Sequence, residues 1–113
     1  MIHYMNLWND SFQSIKKKTK TIEMRLNDEK RQLLNINDII VFKNTRTNEE
    51  IKVKVISLKQ YKNFDDLYQD CNKIEIGYRE DEEANPDDML AYYSKEQIEK
   101  YGALAIKVEV ISS

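Results

Sequence analysis

Cysteine and histidine occur once each in the 113 residues, as Cys71 and His3. A lone cysteine excludes an internal disulfide, and together the two are too few for a Cys/His zinc site. Glycine and proline are also scarce, at two and one, while 41% of residues are hydrophobic and 34% charged. That balance describes a folded chain with a core and a well-solvated surface, not a disordered one. No apolar run is long enough to span a bilayer. Met1 leads straight into "IHYMNLW" without the basic start and apolar stretch of a secretory signal, so the expectation is a cytoplasmic globular protein with no membrane partner. A surplus of positive charge is missing too: the net charge is −2. High-affinity, indiscriminate polyanion binding needs many lysines and arginines to displace counterions, so that class is disfavoured.

What is present is unevenly placed. Residues 16–31 carry Lys16, Lys17, Lys18, Lys20, Arg25, Lys30 and Arg31 against Glu23, Asp28 and Glu29. Residues 65–88 carry ten acids against Lys73 and Arg79. A compact domain with this pattern presents one positive and one negative region. The length suits one domain over residues 1–113, and no repeat, low-complexity tract or linker divides it.

Periodicity supplies the elements. "HYMNL" reads as a first strand, and Trp8, Phe12 and Ile15 recur at helical spacing, predicting a helix over about residues 7–17. That spacing puts Trp8 in the core, with a stacking platform for a base as the alternative. From Thr19 the period becomes two: Ile22 and Met24 share a face with Lys20, while Thr21, Glu23 and Arg25 point the other way. A short helical stretch follows. "IIVFKN" and "EEIKVKVISL" then form a hairpin around "NTRTNE". "NFDDLYQDC" is a short helix capped by Asn63, with Phe64, Leu67 and Tyr68 inward. "NPDDMLAYYSKEQIEKYG" gives one or two helices, the second capped by Ser94 and stopped at Gly102. "ALAIKVEVI" closes the chain as a strand with Leu104, Ile106, Val108 and Val110 on one face. About five short strands with small helices predict an α+β domain whose mixed sheet curls into a small barrel.

"FQSIKKKTKTIEMRLNDEKRQLLNINDIIVF", followed by "YYSKEQIEKYGALAIKVEV", resembles the activating signal cointegrator homology (ASCH) domain, a PUA-like family. The shared pattern is an F-x-x-I helix, then Gly-x-Lys-x-x-Glu-x-Arg, then Gly-Asp before an apolar strand. It departs from the pattern at Lys18 and Asn37, which stand where glycines are expected. Asn tolerates a left-handed backbone, whereas Lys18 implies a differently shaped turn. The resemblance implies a PUA-like barrel and a role with RNA or nucleotides. Small bacterial members similar to this chain hydrolyse the amide of acetylcytidine with a lysine, a threonine and a glutamate. Carried over, the lysine is Lys20, the glutamate is Glu75, and the threonine position holds Glu23.

Three chemistries stay open on these residues. As a binding module, the chain would hold RNA, a nucleotide or a nucleoside, with Arg25 and Lys18 meeting phosphate, Arg31 extending the patch, and Trp8, Tyr92 or Tyr93 stacking a base. As an amidohydrolase, Glu75 would be the base and Lys20 would support the oxyanion. Glu23 would then orient water, two close carboxylates raising the pKa of one. As a ribonuclease, Lys20 would do acid/base work with Glu23 or Glu75, a metal between carboxylates being the weaker alternative. No metal or other cofactor is implied. The acidic run Glu80–Asp88 lacks calcium-loop spacing and reads as a solvated loop. The oligomeric state is left between monomer and weak dimer.

Overall fold

Alternating apolar residues at period two set five strands, and the computed structural model, described over residues 1–112, joins them in one mixed sheet. The strands are β1 (Ile2–Leu7), β2 (Ile22–Leu26), β3 (Ile39–Asn44), β4 (Glu50–Tyr61) and β5 (Ala103–Ser112), in spatial order β1-β3-β4-β5-β2. Among the described residues only β1 and β3 run parallel; the other pairs are antiparallel. The parallel pair is joined through a crossover that contains α1 (Asn9–Lys16) and β2, as parallel neighbours require. β4 is long and its register against β5 shifts at Lys52/Val53 and Val55/Ser57. Such irregularities bend a strand and add twist. The sheet accordingly curls into a half-barrel.

Curling splits the apolar residues into two clusters. Met5, Leu7, Ile40, Phe42, Ile51, Val53, Val55, Leu104, Ile106 and Val108 fill the concave face, closed by Phe12 and Ile15 of α1. Ile22 and Met24 of β2, with Ala103 and Ala105, pack instead against α2 (Phe64–Asp70) and a 3-10 helix, Pro86–Ala91, through Phe64, Leu67, Ile76 and Met89. β2 therefore has apolar company on one face and its charges on the other. The caps fall where the sequence puts them. Asn63 Oδ1 accepts from the Asp66 N–H at 2.9 Å, and Ser94 and Gln97 form a reciprocal capping box before α3 (Lys95–Tyr101).

Both glycines have positive φ. Gly102 ends α3 at φ 76, and a Cβ there would meet the Tyr61 carbonyl oxygen at 2.6 Å, so no side chain fits. Lys18 and Asn37 also take positive φ, 68 and 77. The turn at Lys18 thus keeps the left-handed backbone a glycine would adopt, contrary to the differently shaped turn expected there. No helix among the described residues is long and apolar enough to cross a membrane.

Being the two ends of the sheet, β1 and β2 share no ladder. Side chains span the gap: Arg25 donates to the Asn6 carbonyl at 2.7 Å and Lys30 to the Tyr4 carbonyl at 3.4 Å. Edge carbonyls of β1 that would otherwise need water are satisfied this way.

Candidate functional site

The charges of β2 converge. Lys20 and Glu23 are only 6% and 4% exposed. Glu23 Oε1 accepts from Lys20 Nζ at 2.8 Å and from the Met24 N–H at 3.1 Å, while Oε2 accepts from Arg25 Nε at 2.9 Å. Lys20 also reaches Ser11 Oγ at 3.3 Å, tying the group to α1. The strand begins at Ile22, so Lys20 and Thr21 lie in the irregular segment before it. Strand alternation does not extend to Lys20, which joins Glu23 instead of sharing the Ile22 and Met24 side expected from the sequence.

Burial would by itself push the Glu23 carboxyl up. Lys20 and Arg25, by charge and by hydrogen bonds, outweigh that penalty and hold it at about 2. This is the reverse of the raised carboxylate expected from a second acid nearby. A carboxylate pinned that far below neutral pH is a fixed anion and a feeble proton acceptor.

The trio opens onto a cleft of about 910 Å3. Its lining continues through Ile76, Gly77 and Tyr78, Gly77 lying against the Lys20 stem, to Arg79, Glu82, Asp88 and Met89 from the acidic segment. The positive and negative stretches of the sequence are therefore two walls of one cavity. The acidic wall is braced from behind: Lys73 Nζ donates to the carbonyls of Glu80 and Glu82 at 2.8 and 2.7 Å. The Tyr78 hydroxyl donates to Asp88 at 2.6 Å and lies 3.0 Å from that of Tyr68. Burial first, then the Asp88 contact, raises the pKa of the Tyr78 hydroxyl. The solvated-loop reading of Glu80–Asp88 is corrected to this extent: its backbone is anchored, and two of its acids face the cleft.

Aromatic rings form the remaining wall. Trp8, the only tryptophan, is 61% exposed and Tyr92 is 50% exposed, their centroids 4.9 Å apart at an interplanar angle of 50°. Tyr93 follows at 6.4 Å from Tyr92 and stacks on buried Phe64 behind it. The core position expected for Trp8 from its spacing is not where it lies. Trp8 is the residue that caps α1, one position outside the helix, so its side chain leaves the inward stripe set by Phe12 and Ile15.

Of the residues singled out in the sequence, Lys20, Glu23, Arg25, Trp8, Tyr92 and Tyr93 all line the cleft, and Glu75, Lys18 and Arg31 do not. Glu75 contributes its backbone: its carbonyl accepts from the Thr21 and Ile22 N–H groups at 3.0 and 2.9 Å. Arg31 is paired with Asp28 at 2.8 Å, and Lys18 borders a smaller depression with Thr21 and Val110. Gly77 was missed. A Cβ on it, at φ +114, would come within 3.1 Å of Lys20 Cδ, so this glycine leaves room for the Lys20 stem. The available signal was scarcity: of two glycines, only Gly102 had a helix to stop.

The chain as a whole matches one known class. The ASCH domain model matches residues 5–112, and the chain belongs to that family. Among solved structures it is similar to hypothetical protein PH0355, at 29% identity and a TM-score of 0.83 over 98% of this chain and 100% of that one. It is similar also to protein PF0455 from Pyrococcus furiosus, at 26% identity and a TM-score of 0.79 over the whole of both. The ASCH protein from Zymomonas mobilis aligns at 17% identity and a TM-score of 0.58, over 96% of this chain and 66% of that one, a likeness of fold alone. No curated protein matches the sequence.

Proposed function

We propose that the chain binds a nucleoside, a nucleotide or a single unpaired RNA base in the cleft between the Lys20–Glu23–Arg25 trio and the aromatic wall. The observation that carries this reading is the exposed Trp8–Tyr92 pair lining the same cleft as the largely buried Lys20–Glu23–Arg25 group. Large rings left exposed at the mouth of a concave site give a flat ligand a face to stack on. The fixed polar groups beneath give its edge something to meet. Membership of a PUA-like family agrees with a nucleic-acid component as ligand.

Hydrolysis of an acylated base draws less support. Its intended base, Glu75, has no side-chain place on the cleft, and Glu23 is held as an anion by two cations.

Trp8 makes the test direct. Its fluorescence, followed while adenosine, cytidine, their monophosphates and a short single-stranded RNA are added, should change saturably with at least one of them. Tyr92→Ala should weaken that binding by about tenfold, the scale of one lost stacking contact. A flat Trp8 signal, together with unmoved amide resonances for β2, would overturn the proposal. Incubation with acetylcytidine in the same experiment reads the hydrolase alternative through release of cytidine, abolished in Lys20→Ala.

A further inference from the structure

The cleft has a mixed character that a phosphate-binding groove would not have. Buried Lys20 and partly buried Arg25 at its base are already engaged by Glu23, and the second arm of Arg25 by the Asn6 carbonyl. The wall from the acidic segment adds two carboxylates, Glu82 and Asp88, against one cation, Arg79, and the rings of Tyr68, Tyr78, Tyr92, Tyr93 and Trp8 border the same space. The tyrosine beside Trp8 sits within the field of these acids. Burial first, then the negative charges of Glu23 and Asp88, raises the pKa of the Tyr92 hydroxyl. Electron-rich ring faces attract cations, and carboxylates at the margin of an aromatic enclosure add to that attraction where water is reduced. Glu82 and Asp88 are also held in place, since Glu82 Oε1 accepts from the Arg79 N–H at 2.7 Å and Asp88 from the Tyr78 hydroxyl. With Arg79, whose guanidinium Nε lies 3.6 Å from Glu82 Oε1, they form a partly solvated wall bordering the stacking pair, in which Asp88 is the carboxylate without an ion-pair partner among the described residues.

From this geometry we infer that the preferred occupant is a heteroaromatic ring carrying a positive charge, such as a nucleobase made cationic by methylation of a ring nitrogen. The inference rests on the nucleobase-binding reading above and specifies its ligand. A neutral base stacks on Trp8 and Tyr92 through its π face alone. A cationic one gains the ring quadrupoles and the two carboxylates together. Glu82 and Asp88 thereby act as specificity determinants, and they also disfavour a phosphate brought into the same space.

The test compares three nucleosides of one ring system by Trp8 fluorescence. Adenosine is neutral, N6-methyladenosine is neutral but methylated, and 1-methyladenosine is cationic at neutral pH. The expected result is that 1-methyladenosine binds about tenfold more tightly than the other two, with the preference reduced to about twofold or less in the Glu82→Gln/Asp88→Asn double variant. Both substitutions keep an acceptor for Arg79 and Tyr78, so the loop retains its brackets while losing its charge. Equal affinity for all three nucleosides overturns the charge inference and leaves the cleft reading standing. A preference that persists undiminished in the double variant overturns the role of the acidic wall. No response to any of the three overturns both readings together.

Discussion

Two carboxylates in this protein do the same local job in different surroundings. Glu23 is shared between Lys20 and Arg25, and Asp70 between Lys59 and the Tyr61 hydroxyl, each by contacts of 2.5–2.9 Å. Glu23 is 5% exposed at its side chain, whereas Asp70 is 49% exposed and Lys59 64%. Bond lengths alone would rank them as equals. Burial separates them, because two charges out of water have no substitute partner when one is removed. Solvent and salt stand ready to replace a lost partner of Asp70. Where an ionic group lies therefore says more about its consequence than how short its bonds are.

The strongest way to break the comparison is Glu23→Ala, which leaves buried Lys20 and partly buried Arg25 without their anion. A loss of about 3–5 kcal/mol in urea unfolding is expected, along with loss of cleft binding. Acid sharpens the same point. The folded pKa of Glu23 is lowered from 4.5 to about 2. Its contribution to stability is complete above the ordinary carboxylate value and is lost as the pH falls from there through about 2. Below pH 4.5, urea midpoints of the unsubstituted chain should therefore fall more steeply than those of Glu23→Gln. Gly77→Ala comes next. It strains a positive-φ position and crowds the Lys20 stem, and should cost about 1–2 kcal/mol while weakening nucleoside binding. Lys18→Gly should go the other way, relieving a left-handed lysine and raising stability by up to about 1 kcal/mol in thermal unfolding. Asp70→Asn, the counterpart of Glu23→Gln, should leave the urea midpoint unchanged at physiological salt.

Much of the fold was legible because the sheet is built from alternation. Ile51, Val53 and Val55, like Leu104, Ile106 and Val108, point inward together as their spacing requires. Asn63 and Ser94 cap as their chemistry requires. The crowding of charges on β2 was also visible, and it proved to mark the cleft. What was not legible depended on where elements start. Lys20 changes sides because the strand begins two residues later, and Trp8 leaves the core because the helix begins one residue later. Boundary positions carry no periodicity, so spacing arguments fail there first. Glu75 differs for another reason: the resemblance assigned it a side-chain role, whereas its carbonyl meets the start of β2 and it does not line the cleft. The sign of the Glu23 shift depended on both cations converging on one carboxylate, a tertiary fact.

The bond from Arg25 to the Asn6 carbonyl gives the protein an economy with a drawback. This guanidinium borders the cavity and also buckles the first strand to the second, where the sheet stops short of closing. Recognition and integrity of the shell are thus drawn from one side chain. Amide hydrogens of the outer strands consequently become reporters of occupancy: a guest that competes for Arg25 quickens their exchange, and one that leaves it alone does not.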